Sequence, residues 1–374
     1  MEKQKELFEL KEIKQRHSKS KFFFLMTARK LGLLALPLIE KLSGLNKKEF
    51  KKDEIKKILF IQLYGAGDYL MSTPVIKAIS KSFLKAEKIL LTKEFIKPLA
   101  ENNPFIDKVI TENPKEKIDL CICLTQSLES TLIARKVSKL RVGFLYDNVV
   151  RSNGFEIKKQ VSCWADKNNL TSWVDHYLLI AKSLGCKVDS KEYDLELKEK
   201  SKLKQKDFVV FSVGVRPGAE IKAWENKKFA ELADKVIEKH LKPIVFLGSK
   251  NDTKRISKII SLTKNKSKCF DYSGKCSFVE SAAIINDSGM LVTIDNGLMH
   301  IGFALRKPVI ALFGATDPRR LFQFNKRNFL VYNETSCSPC YVKGLMKECK
   351  KESLECMKSI TVKQVFEKIE KVLK

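Results

Sequence analysis

One pattern constrains this chain more than any other. From Ile55 onward, apolar runs of strand length alternate with segments of helical periodicity. The runs "KILFIQL", "KILL", "DKVIT", "IDLCICL" and "RVGF" read as strands, and "YLMSTPVIKAISKSF", "EFIKPLAENN" and "LESTLIARKVSKL" read as the helices between them. Strands that are apolar along their whole length are buried on both faces, and parallel neighbours need a crossover, so this alternation predicts βαβ units in a covered parallel sheet. The pattern lapses between Tyr146 and about Lys206, where "TSWVDHYLLIAKSLG" is one helix and "KEKSKLKQK" a charged connector. It restarts with "FVVFSVG", "NKKFAELADKVIEKH", "PIVFLGS", "DTKRISKIISLT", "CFDYSG", "SFVESAAIIN", "MLVTID", "LMHIGFAL" and "PVIALFG", which predicts a second parallel sheet.

A length of 374 residues exceeds what one hydrophobic core usually serves. The expected organisation is a basic helical extension at residues 1–54, a first doubly wound domain at 55–200 and a second at 201–374. The closing "TVKQVFEKIEKVLK" is a helix expected to return and brace the first domain. Within the extension, "FFFLMTARKLGLLALPLI" is broken by Arg29 and Lys30 and carries Pro37, so it falls short of the ~20 apolar residues of a spanning helix. It also begins too late for a signal peptide. It reads as an amphipathic element that lies on a membrane or packs on the protein.

Lysine drives a formal net charge of +27, and such a field draws nucleic acid, an anionic membrane face or phosphorylated substrates. Nucleic-acid binding is disfavoured, because lysine is spread along the whole chain and no recognised nucleic-acid motif appears. Of the ten cysteines, Cys121 and Cys123 sit inside an apolar run, which points to reduced thiols in a cytoplasmic setting rather than a disulfide framework.

Ligands of open α/β sheets bind beyond the carboxyl ends of the strands, so function is expected in the loops that follow them. In "LYGAGDYLMSTP", Gly65 and Gly67 let the backbone turn tightly into a helix, and Asp68 is either its cap or a base. "SVGVRPGAEIKAWENKKFAELA" places Arg216, Gly218 and Lys222 ahead of a helix, where charge and backbone amides hold phosphate, although a single lysine in so basic a chain is by default a solvated one. In "FLGSKNDTKR", Asp252 suits a ribose hydroxyl or caps the next helix. In "TIDNGLMHIGFALRKPVIALFGATDP", Asp295, Asn296 and Gly297 follow a strand, and a helix beginning near Leu298 aims its first amides at the cleft. His300, one of four histidines, lies in that first turn as either a packed residue or a phosphate donor.

"ILFIQLYGAGDYLMSTPVIKAI" and "TIDNGLMHIGFALRKPVIALFGATDP" resemble the paired signatures of glycosyltransferase family 9, the lipopolysaccharide heptosyltransferases, with "RPGAEIKAWENKKFAELA" and "VDHYLLIAKSLG" similar to its intervening segments. The likeness runs from about Ile55 to the C-terminus. It implies a GT-B architecture, two Rossmann-like domains with parallel sheets facing across a cleft, and an inverting, metal-independent transfer without cofactor. It further implies a nucleotide-sugar donor such as ADP-heptose, a lipopolysaccharide inner-core acceptor, and a peripheral position on the anionic inner face of the cytoplasmic membrane. By motif, Asp68 matches the family's proposed general base, Lys222 the cation near the diphosphate, and Asp295, Gly297 and His300 the segment at the donor phosphates. Asn296 departs from the family's Thr there, and both residues can donate to phosphate. Asp252 falls where relatives have an acidic residue near the ribose. The first domain is then the acceptor domain and the second the donor domain.

Near the end, Cys337, Cys340, Cys349 and Cys356 in "CSPCYVKGLMKECKKESLECMKSI" are compatible with a closed structural zinc site, and equally with free thiols or a disulfide.

Overall fold

Apolar strand runs do become two sheets in a computed structural model that describes residues 52–125, 127–145, 148–151, 172–341, 348–349 and 351–373. The first sheet comprises β1 (Lys57–Ile61), β2 (Glu87–Leu91), β3 (Lys108–Ile110), β4 (Leu120–Cys123), β5 (Leu140–Leu145) and β6 (Asn148–Arg151), in spatial order β3-β2-β1-β4-β5-β6. The second comprises β7 (Val209–Ser212), β8 (Ile244–Leu247), β9 (Cys269–Asp271), β10 (Met290–Ile294), β11 (Val309–Phe313) and β12 (Asn328–Tyr332), in order β12-β11-β10-β7-β8-β9. Read from the other edge this is the same doubly wound order. Parallel pairing holds throughout, except that β6 returns antiparallel to β5. The central strands β1, β4, β7 and β10 are buried almost end to end, as strands covered by helices on both faces must be.

Crossovers and covering helices are α1 (Ala66–Ser82), α2 (Lys97–Ala100), α3 (Leu128–Val137) and α4 (Trp173–Ser183) in the first lobe. In the second they are α5 (Asn226–His240), α6 (Thr253–Leu262), α7 (Phe278–Asp287), α8 (Gly297–Ala304), α9 (Pro318–Leu321), α10 (Glu355–Lys358) and α11 (Val362–Glu370). The single helix expected in the lapse is α4, which packs along α1. The closing helix α11 does not brace the first lobe as expected. It packs on α5, β11 and β12, because Val362, Val365 and Ile369 form one apolar stripe that joins the second lobe's core cluster, to which Val236, Ile237 and Val331 also belong.

A core cluster runs continuously between the lobes, from Phe60 and Val75 to Leu291 and Phe303. Of the extension, residues 52–54 form a short turn in which Lys52 Nζ donates to Gly185 O at 2.9 Å. The segment Phe22 to Ile39 lies outside the described residues. Among those described, no helix is long and apolar enough to cross a membrane.

Candidate active site

Both sheets reverse their strand order once, between β1 and β4 and between β7 and β10, and an open α/β sheet offers its binding crevice beyond the carboxyl ends at such a switch point. In the first sheet buried polar groups mark that point: Thr125 Oγ1, past the end of β4, donates to Gln62 Oε1, past the end of β1, at 2.9 Å. Gln62 Nε2 in turn lies 3.4 Å from the carbonyl oxygen of Asp68 and 3.5 Å from the Tyr177 hydroxyl. Gly65 is the N-cap of α1. Asp68 reaches back to that cap, its Oδ2 accepting from the Gly65 amide at 3.3 Å. The Asp68 carboxylate is half-buried, and near it burial, reinforced by that negative charge, pushes the Tyr64 and Tyr177 hydroxyls up.

The second switch point carries the cations. Lys222 ends a single 3-10 turn, Glu220–Lys222, and Nζ reaches Asp295 Oδ2, just past β10, at 2.6 Å. Burial alone would raise the Asp295 carboxyl, but the Lys222 ammonium overrides it and holds it below the ordinary carboxylate range. The same ammonium sits 4.2 Å from the centre of the Tyr341 ring, and Arg216 Nη2 donates to the Tyr341 hydroxyl at 2.9 Å. One tyrosine therefore organises both basic side chains, with a cation–π contact on one and a hydrogen bond from the other. Gly218, at φ 79°, turns the loop between them and donates to Glu220 Oε1 at 3.0 Å; a side chain at that φ would be strained.

Asn296 is committed to the scaffold. Its Oδ1 caps α8 by accepting from Leu298 N at 3.0 Å and Met299 N at 3.3 Å, and its Nδ2 donates to Ser212 Oγ at 2.9 Å and Gly214 O at 3.2 Å. The cap thus occupies two of the first-turn amides expected to meet phosphate, including that of Leu298. Asp252 likewise closes a capping box, its Oδ2 accepting from Ser249 N and Ser249 Oγ, both at 2.7 Å, and it packs over Gly214 and Gly248.

The two switch points meet where α1 packs against α8. His300, 4% exposed, lies over Gly67: a Cβ built on Gly67 would stand 2.7 Å from His300 Cδ2. Asp68, Gly67, His300 and Gly297 are therefore brought to one interlobe junction, with Lys222, Asp295 and Arg216 grouped beside it at the end of the second sheet. Asp252 lies across the β7 loop from this group. Sequence reasoning missed Gln62, Thr125, Tyr193 and Tyr341. Tyr193 stacks on His300, ring centres 6.0 Å apart.

The terminal cysteines form a separate feature. Cys337, Cys340, Cys349 and Cys356 form no disulfide with one another. Burial and the neighbouring Cys340, Cys337 and Cys349 push the Cys356 thiol up to about 11, whereas backbone amides from Leu354, Lys351, Ser353 and Glu352 hold Cys349 below its ordinary value. Among the described residues no group of three or more His, Cys, Asp or Glu side chains is arranged to hold a metal ion.

Two lobes of one doubly wound order, packed with their switch points opposed, make up the GT-B architecture. Residues 112–351 match the model of glycosyltransferase family 9 (heptosyltransferase). The chain is 24% identical over 319 residues to lipooligosaccharide heptosyltransferase 2 of Haemophilus ducreyi, spanning 74% of this chain and 88% of that relative. Among solved structures it superposes on a family 9 glycosyl transferase from Veillonella parvula with TM-score 0.68 and 20% identity, over 86% of this chain and 98% of the other. It superposes on the ADP-heptose LPS heptosyltransferase II of E. coli with TM-score 0.67 and 20% identity, over 85% and 98% respectively. The chain belongs to glycosyltransferase family 9 (heptosyltransferase), and the protein is a glycosyltransferase.

Proposed function

We propose that this protein transfers a heptose from ADP-heptose to the lipopolysaccharide inner core with inversion at the anomeric carbon, the first lobe holding the acceptor and the second the donor. The donor is argued from relatives named as lipooligosaccharide or ADP-heptose LPS heptosyltransferases. The observation that carries the reading is the junction of Gly67 and His300, which sets the Asp68 end of α1 against the first turn of α8 with no side chain between.

In this scheme Asp68 takes the proton of the acceptor hydroxyl as its oxygen attacks the anomeric carbon, and the bond to the diphosphate breaks on the opposite side. Negative charge gathers on the departing ADP. Lys222, Arg216, His300 and the remaining polarity of the α8 terminus are fixed where that charge appears, so they stabilise the transition state more than the bound donor. Residues Gly65, Gly218 and Gly297 keep the backbone close to the ligands, Asp295 and Asn296 hold the cradle in shape, and Asp252 faces the ribose. The net charge of +27 suits an acceptor bearing phosphates and carboxylates at an anionic membrane surface on its cytoplasmic side.

Asp68→Asn keeps an oxygen that can accept from the Gly65 amide and removes the base. Turnover of ADP-heptose should fall about 10²–10⁴-fold while calorimetric affinity for the donor is retained. Near-normal turnover in that variant would reduce Asp68 to a helix cap.

A further inference from the structure

The connector between the lobes is built into the site. Asp194 N donates to Thr73 Oγ1 of α1 at 2.9 Å, and its carboxylate takes Lys77 Nζ, also of α1, at 2.7 Å. Its neighbour Tyr193 is 3% exposed and turns the other way, toward the second lobe. The Tyr193 ring stacks on His300 with an interplanar angle of 29°, and meets Phe303 edge-on at 6.3 Å. Its hydroxyl oxygen stands 3.5 Å from His300 Nδ1, the long end of hydrogen-bond range. The other side of the imidazole faces α1: the position of a Cβ on Gly67 is 3.2 Å from Nε2. One nitrogen of His300 thus addresses the connector and the other addresses the junction that carries Asp68.

A neutral imidazole has one donor nitrogen and one acceptor, and the partner of one nitrogen decides the role of the other. We propose that Tyr193 is a positioning residue that donates to His300 Nδ1 and so fixes the tautomer with its proton on Nε2, aimed into the junction. Burial keeps the Tyr193 hydroxyl protonated far above neutrality, so the donor is present at any working pH. Anchoring through Asp194 makes the orientation a property of both lobes at once: the tyrosine that orients the donor-side histidine is tied to the acceptor-side helix. The inference rests on the reading of His300 as a donor to the departing diphosphate.

The test is a two-bond ¹⁵N–¹H correlation spectrum of the full chain labelled at histidine, recorded at a pH above which the His300 signals no longer move, with those signals identified by their loss in His300→Gln. Wild-type protein should show the Nε2–H tautomer. Tyr193→Phe, which keeps the stacked ring, should show a mixture of tautomers, with kcat reduced about tenfold, the worth of one hydrogen bond, and donor KM unchanged. A wild-type Nδ1–H tautomer overturns the proposal without any variant, and so does an unaltered tautomer in Tyr193→Phe. If wild-type protein fails to turn over ADP-heptose, the transferase reading fails on its own, while a tautomer shift in Tyr193→Phe still supports the coupling.

Discussion

At the scale of single residues, the Lys222–Asp295 ion pair ties two buried charges to each other at 2.6 Å. Both side chains are largely withdrawn from water, 15% and 6% exposed. Removing one partner of such a pair strands the other charge, whereas replacing both with apolar groups is often tolerated. Asp295→Ala should therefore destabilise the protein by about 3 kcal/mol in denaturant unfolding, and Asp295→Leu combined with Lys222→Met should recover most of that loss while abolishing donor binding. A double variant as unstable as the single one would show that the pair is not the source of the effect. The placement of Asp68 and Lys222 in loops past strand ends was legible, since a strand end followed by glycines and a helix is a pattern in one dimension. Tyr193 and Tyr341 were not. Each is a lone aromatic in a segment without periodicity, and its meaning exists only in contacts with residues 107 and 119 positions away.

Among elements, buried central strands and capped helices were readable because their determinants are local: a continuous apolar run, a Ser or Asn before a helix. The last strand of each sheet was not read. The chain "NVVR" of β6 and "NFLVY" of β12 lie at edges, and β12 is covered on only part of its length, so neither carries the unbroken apolar signal of a strand covered on both faces. The helix α4 was read correctly, but its burial holds a titratable group that sequence alone leaves ambiguous. His176 is fully buried, and burial, with the nearby Arg320 cation, pushes it from its ordinary 6.5 down to about 4. Between those values the unfolded chain binds a proton that the folded one does not. This contribution to stability is therefore complete above pH 6.5 and is lost as pH falls toward 4, amounting to about 3 kcal/mol at the lower end. Urea unfolding across that range should show stability declining with acid, and His176→Phe should flatten that part of the decline. An unchanged pH slope in the variant would mean that other groups set it.

For the molecule as a whole, the decisive feature is that its two lobes meet through a missing side chain. Gly67 occupies the second position of α1, and its φ is not in the left-handed region, so the backbone itself does not demand glycine there. Here a methyl group would collide with a histidine that cannot swing aside, since its ring is stacked on Tyr193 and edge-on to Phe303 at 6.0 Å. Relief requires α1 and α8 to separate, and that movement draws the Asp68 carboxylate away from the cradle formed by Lys222 and Arg216. Gly67→Ala should thus destabilise the protein by about 1–3 kcal/mol, the usual range for overpacking, and lower turnover by up to about 100-fold through misplacement alone, with donor affinity retained because the cations proposed to hold the donor belong to one lobe. The sign of the effect separates local propensity from lobe contact. In a His300→Ala background the collision is gone, and the same Gly67→Ala change should become neutral or stabilising. Additive destabilisation in that double-mutant cycle would place the cost within α1 itself and remove the argument that the lobes are fitted together at this point.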